Sequence, residues 1–211
     1  MTDASLFPDR LYGDAGAYAD AYFERLALAA ASLDRDVLSA AGRMLAEQAA
    51  RGRTIFACGN GGSAAVANHL ACDCMKGVRA DSGLKPRVHS LSANVELITA
   101  LANDVGVEAM FVGQLSSLAE PGDVLIAISS SGASPNIVGA LAWAKENGLK
   151  TVAMTGFSGG PAMEVADFAL HVDAANYGLA EDVHQSIMHI LAQHLRHSHL
   201  TDPSRLGRLK F

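Results

Sequence analysis

The chain predicts an α/β fold, a parallel sheet covered by helices on both faces and preceded by a helical pair. Three observations lead there. Short apolar runs at 54–58, 87–91, 123–128, 151–154 and 168–172 alternate with helix-like stretches near 63–77, 94–101, 106–119, 136–147 and 179–196. Strand and helix alternating in this way build parallel sheets. Val124-Leu125-Ile126-Ala127-Ile128 is apolar without interruption, as a strand buried on both sides requires. No repeat, low-complexity tract or linker divides the 211 residues, so 1–211 reads as one domain.

Residues 1–52 form the helical segment and 53–200 the α/β core. Within the first part, Tyr18, Tyr22, Phe23, Leu26 and Leu28, then Val37, Leu38, Ala41, Met44 and Leu45, recur at helical spacing. Ser32-Leu33-Asp34 supplies a cap for the second helix, and Gly52 is placed to end it. Nothing in this segment carries catalytic chemistry, and it reads as a packing element. The tail 201–211, with Pro203 and Gly207, reads as loosely ordered.

Half the residues are apolar and only 18% are charged. The charged share of an average soluble domain is about 25%, so part of this surface is expected to be buried against copies of the chain. The net charge of −6 argues against nucleic acid as a partner, since tracking phosphates takes clustered Lys and Arg. No run approaches the ~18 apolar residues of a membrane span. The start, Met1-Thr2-Asp3-Ala4, lacks the pattern of a signal peptide. Three cysteines make no disulfide framework. A cytoplasmic globular protein is the expectation.

Ligands of open parallel sheets gather beyond the carboxyl ends of the strands. Two loops fall there. Gly59-Asn60-Gly61-Gly62-Ser63 lies between a strand and a helix start, where glycines let backbone N–H groups approach an anion. Ser129-Ser130-Ser131-Gly132-Ala133-Ser134 follows Ile128 and brings four hydroxyls to another helix start, enough to surround a phosphate without a cation. The first loop also satisfies a loose dinucleotide fingerprint, which wants an acidic residue about 20 positions on, at the tip of the next strand. That strand ends near Leu91-Ser92-Ala93-Asn94 with no carboxylate, so a nicotinamide cofactor is not expected.

His69 and Asp73 are four apart on the helix after the first loop, on one face, close enough to hold a metal ion or share a proton. On the last long helix Glu181, Gln185 and His189 follow one face at i, i+4 and i+8 among apolar residues, and polar groups in such a face are costly unless they meet partners. His194, His197 and His199 read as solvated residues near the helix end. Cys72 and Cys74, two apart, point to different faces and make poor co-ligands. With Cys58 they read as small buried hydrophobes.

Gly59–Ser63, His69, Asp73, Asn103-Asp104 and the Ser129–Ser134 loop, in that order, resemble the sugar isomerase (SIS) domain, and more closely the phosphoheptose isomerases, which interconvert sedoheptulose 7-phosphate and heptose 7-phosphate. The likeness covers nearly the whole chain. It implies a three-layer αβα, flavodoxin-like fold with a five-stranded parallel sheet, and a homotetramer with active sites between subunits. It implies that Asp73, a glutamate in the family, and His189 are the acid/base pair, and that His69, Asp73, Glu181 and His189 hold one zinc or other divalent ion per site. It implies that Asn60, Gly61, Gly62, Ser63, Asn103, Asp104, Ser129, Ser130, Ser131, Ser134 and Glu181 bind the sugar phosphate.

Three positions depart from the family. Asp73 is one methylene shorter than glutamate, Glu181 stands where the family has a glutamine, and a substrate-contact acid of the family falls on Gly178. The first two changes read as a compensating pair, in which the double change Asp73→Glu with Glu181→Gln preserves activity better than either alone. Residues 181 and 189 are ~12 Å apart along the helix, so their side chains converge on one ion only from opposite directions or across a subunit boundary. By resemblance the chain is an aldose–ketose isomerase working through an enediol on sedoheptulose 7-phosphate. The alternatives are the same chemistry on another ketose phosphate, or a non-catalytic scaffold like the DnaA initiator-associating proteins. Asp73 and His189 together disfavour the scaffold.

Overall fold

The computed structural model describes residues 6–209. Met1-Thr2-Asp3-Ala4 and the end of the tail lie outside the described residues. The five runs become β1 (Thr54–Gly59), β2 (Arg87–Ser90), β3 (Val124–Ser129), β4 (Lys150–Thr155) and β5 (Phe168–His171). They pair in parallel in the order β2-β1-β3-β4-β5. β1 and β3 are buried along their whole lengths, which is why their sequences are apolar on both alternating faces.

Two cores lie on the two faces of the sheet. Ile55 and Ala57 face α2 (Arg35–Ala50), α3 (Gly62–Cys72) and α8 (Tyr177–Ser198), while Phe56 and Cys58 face α5 (Val112–Leu118) and α6 (Pro135–Glu146). This gives the three-layer αβα arrangement expected. Strand order reverses at β1, so the loops after β1 and β3 flank the crevice where open α/β sheets bind ligands.

The helical pair is α1 (Ala15–Ser32) and α2. Asp34 caps α2 by accepting from Asp36 N–H and Val37 N–H, and Gly52 takes φ +72° just beyond its end. α1 lies on α8, where the Tyr22 hydroxyl donates to Asp182 at 2.6 Å. The stretch expected as one helix over 106–119 divides, since Gly106 at φ +128° opens a 3₁₀ turn at Val107–Ala109 before α5. Between β2 and that turn lies α4 (Val95–Asp104). The six-residue α7 (Gly160–Val165) shows no periodicity long enough to read from sequence.

The cysteine expectation needs one correction. Cys58 and Cys74 are buried, and burial pushes the Cys74 thiol up to about 12, whereas Cys72 is exposed. The helical offset that makes Cys72 and Cys74 poor co-ligands also sends Cys72 away from the core. His194 and His197 are exposed and His199 is half-buried against Leu195 O. The tail is tied down as far as it is described. Thr201 donates from its N–H and Oγ1 to Asp81 O, and Arg205 pairs with the Asp81 carboxylate, which Arg196 also holds at 2.7 Å.

Two helices leave apolar side chains uncovered. α4 has no buried residue and exposes Val95 and Leu97, with Val105 and Val107 just beyond it. α1 buries only Ala29 and exposes Phe23 and Leu28. Among the described residues no helix is long and apolar enough to cross a membrane.

Candidate active site

α3 and α8 run side by side in the same direction. Their register is set by Gly62 beside Glu181, His69 beside Gln185, Asp73 beside His189, and Ala80 beside Arg196. On α8 the side chains of Glu181, Gln185 and His189, each four apart, make one polar stripe, which His69 and Asp73, also four apart, face from α3.

At the amino-terminal end of the stripe lies a small cavity of about 130 Å³, walled by Asn60, Ser63, Ser129, Ser130, Ser131 and Ser134, with Tyr177 and Glu181 closing it. The helices α3 and α6 both begin here, and the positive ends of their dipoles suit an anion. Asn60 and Asn136 lock the two loops together, each amide donating to the other's oxygen at 3.0 Å. Gly132, at φ +64°, lets the serine loop turn against Gly159, where any Cβ would strike the Gly159 carbonyl. Ser134 caps α6 without using its hydroxyl on the helix. Ser130 is 5% exposed, and among the described residues its hydroxyl has no hydrogen-bond partner. A buried hydroxyl with no partner inside a cavity is a place for a ligand oxygen. Among the described residues no lysine or arginine lines this cavity.

Toward the carboxyl end of the stripe the helix changes form. α3 passes into a π turn at Asp73–Val78, a rare geometry that often marks functional positions. Asp73 Oδ1 lies 3.4 Å from His69 Nε2 and Asp73 Oδ2 lies 3.7 Å from His189 Nε2. The two imidazoles stand edge to face with centroids 4.9 Å apart. One donor atom from each of the three residues falls within 4.8 Å of the others. Tetrahedral zinc with bonds near 2 Å keeps its ligand atoms roughly 3.3 Å apart, so this two-imidazole, one-carboxylate set fits a divalent ion with little movement. A groove of about 480 Å³, with Lys76 and Arg196 on its wall, opens beside the cluster.

Of the four residues expected at the metal, three come together. Glu181 does not join them within this chain. Its carboxylate packs over Gly62, where a Cβ would overlap it, two helical turns before His189. The pairing expected between Asp73 and Glu181 has no contact to act through. Asn103 and Asp104 sit exposed at the end of α4, bonded to each other at 2.7 Å, and do not wall the serine cavity of their own chain. Gly61 shapes the loop at φ +55°. At Gly178 a side chain would meet the Tyr22 hydroxyl, so the space is already taken by α1.

Two participants escaped the sequence reading. Asn136 and Tyr177 carry no motif. Gln185 was legible as part of the polar face, but its partners were not. Its side-chain nitrogen lies 2.9 Å from His69 Nδ1 and 3.0 Å from His189 Nε2.

A parallel α/β sheet with serine and glycine loops at its switch point, and an acid–imidazole cluster a few turns away, defines a sugar-phosphate-binding protein of the isomerase type. Comparison with known proteins agrees. The SIS domain family model matches residues 17–156. A phosphoheptose isomerase of Nitratidesulfovibrio vulgaris is 42% identical over 144 residues, covering 68% of this chain and 69% of that protein. A phosphoheptose isomerase of Mycobacterium bovis is 36% identical over 183 residues, covering 84% and 92%. The solved structure of a phosphoheptose isomerase from Francisella tularensis superposes with a TM-score of 0.79 at 26% identity, over 87% of this chain and 99% of that one. The chain belongs to the SIS domain family and, within it, to the phosphoheptose isomerases.

Proposed function

We propose that this enzyme interconverts sedoheptulose 7-phosphate and D-glycero-D-manno-heptose 7-phosphate. The observation that carries the reading is the α3/α8 stripe, with a phosphate-sized cavity at one end and the Asp73–His189 pair at the other. Gly62 and His69 are separated by ~10 Å of helix rise, the span of a sugar whose phosphate and carbonyl lie at opposite ends.

The serine hydroxyls and the helix N–H groups hold the phosphate, and Ser130 gains the partner it lacks. The Asp73 carboxylate takes the proton from C1 or C2 and returns it to the neighbouring carbon. His189, the imidazole partner of Asp73, acts on the oxygens of the enediol. His69, Asp73 and His189 are the residues that would hold a zinc or other divalent ion, which supplies Lewis-acid polarisation of the carbonyl. The geometry and chemistry of these three donors support one ion per site.

We further propose a homotetramer with sites between subunits, working in the cytoplasm. The uncovered apolar faces of α1 and α4 and the low charge support the assembly. The position of Asn103 and Asp104 on α4 supports their reaching the site of a neighbouring chain. A charged sugar phosphate does not cross a bilayer unaided, which favours the compartment where such sugars are made. Another ketose phosphate is the second reading, favoured by the glycine at 178, where Tyr22 rather than an acid occupies the space.

Proton NMR in D₂O tests the reaction. Incubation with sedoheptulose 7-phosphate should place deuterium on the C1 or C2 position and yield the aldose, and parallel incubations with other ketose phosphates decide the sugar. No exchange with any of them would overturn the isomerase reading.

A further inference from the structure

Resting on the phosphate reading of the serine cavity, we infer that Phe157 and Tyr177 form an aromatic wall that keeps water from the bound phosphate. Tyr177 touches the ligand, and Phe157 is its positioning residue. Tyr177 opens α8 and lines the cavity beside Ser130, Ser131 and Ser134. It is 62% exposed, so little around it fixes its rotamer. The ring that meets it is Phe157, with centroids 4.8 Å apart and planes tilted by 54°, a favourable geometry for two aromatic groups.

Phe157 holds that place at a conformational cost. It is half-buried and takes φ +50° in a turn that Gly159 N–H closes onto Gly156 O at 2.8 Å. Turns with positive φ at this position are dominated by glycine, asparagine and aspartate, and a bulky residue there is strained. The neighbouring positive-φ positions, 159 and 160, are both glycine, and phenylalanine is the exception. The turn has no freedom to relax, since Gly156 N–H donates to Ser130 O at 2.8 Å and Phe157 N–H to Ala174 O at 2.9 Å. One bond ties it to the serine loop and the other to the segment that leads into α8. Strain kept beside a ligand site points to a task that a relaxed residue would not perform. The task visible here is the ring contact with Tyr177.

The cavity needs such a wall because of how it attracts an anion. Among the described residues no lysine or arginine lines it, so hydroxyls and the positive ends of two helix dipoles supply the attraction. Dipoles and neutral hydrogen bonds are strong where water is excluded and weak where it competes. An aromatic ring at the edge of the cavity raises the worth of every donor behind it without adding charge.

Calorimetric binding of inorganic phosphate to the purified full-length chain tests the wall, together with kinetics on sedoheptulose 7-phosphate and thermal unfolding. Tyr177→Ala should raise the Kd for phosphate and the KM for the sugar about tenfold, with a much smaller change in kcat, while Tyr177→Phe keeps both values. Phe157→Gly should raise the same two quantities roughly three- to tenfold, the worth of one aromatic pair, while Tm holds or rises as the strain is released. Phe157→Tyr, which keeps the ring, should restore the affinity. A Phe157 with only a structural role would lower Tm when replaced by glycine and leave phosphate affinity unchanged, and that result would overturn the inference. So would an unchanged phosphate affinity in Tyr177→Ala, or an unaltered protein that binds no phosphate. Deuterium exchange decides the isomerase reading by itself in every case.

Discussion

Glu181 and His189 occupy the same face of α8, two turns apart, and look into opposite ends of one site. Glu181 packs over Gly62 beside the serine loop, and His189 stands 3.7 Å from Asp73. The sequence spacing invites a shared ion. The register of α8 against α3 sets the two side chains at the two ends of the stripe.

This separation makes the effects of Asp73→Glu and Glu181→Gln independent. Residues more than roughly 7–10 Å apart with no shared partner give free-energy changes that add to within about 0.5 kcal/mol. The changes in the logarithm of kcat/KM in the two single variants, each relative to the unaltered protein, should therefore sum to the change in the double variant. A double variant more active than its worse parent would restore the compensation idea and bring Glu181 back to the metal.

Ser130→Ala removes a buried hydroxyl that has no partner among the described residues. Deleting such a group leaves the fold intact, so the melting temperature should stay unchanged or rise slightly. Losing one hydrogen bond to phosphate is worth about 1.5 kcal/mol, which raises KM for the sugar phosphate roughly tenfold. An unchanged KM would place the phosphate elsewhere.

Gly132→Ala should damage both stability and activity. The residue sits at φ +64°, and a Cβ would run into the Gly159 carbonyl. Backbone strain alone costs about 2 kcal/mol, equivalent to a fall of ~4–8 °C in Tm for a chain of this size. Relief by moving the serine loop about 1 Å would cost on the order of 10²-fold in rate. Thermal unfolding and kcat/KM measured on the same preparation check both parts.

His184 governs a pH dependence of stability. The ring is fully buried between α8 and the ends of β4 and β5, and neither nitrogen makes a hydrogen bond of normal geometry. Burial pushes its pKa down to about 4, with the Thr155 backbone pulling weakly upward and His171 adding to the fall. An unfolded imidazole takes its proton near pH 6.5. Between those values the unfolded chain binds more protons, so stability present above pH 6.5 is lost as the pH falls toward 4. The contribution approaches ~1.4 kcal/mol per pH unit. His171, also lowered by burial and opposed by Asp173, works in the same direction. Urea unfolding at several pH values should give a slope about one proton smaller for His184→Leu than for the unaltered chain. Equal slopes would show that His184 binds its proton alike in the folded and unfolded states.

Much of the fold was legible because its signals are local. The break-free apolar run at Val124–Ile128 announces a strand covered on both sides, and Asp34 and Gly52 mark the limits of α2 through groups within a few residues of each other. His69 and Asp73 were visible as a pair for the same reason, since four residues on a helix bring two side chains together whatever surrounds them. α7 escaped because six residues are too few to show a period, and Cys72 was misjudged because its exposure depends on what packs against the other side of α3.

The sequence by itself determined the parallel αβα architecture, the two glycine and serine loops at strand ends, the family, and the His69–Asp73 and Glu181–Gln185–His189 faces. Only the tertiary structure decided how those faces meet. Periodicity specifies the direction a side chain leaves its own helix and says nothing about the axial offset of one helix against another. That offset is set by the packing of α3 and α8 on the sheet, and a shift of one turn, ~5.4 Å, exchanges Glu181 for Gln185 beside His69.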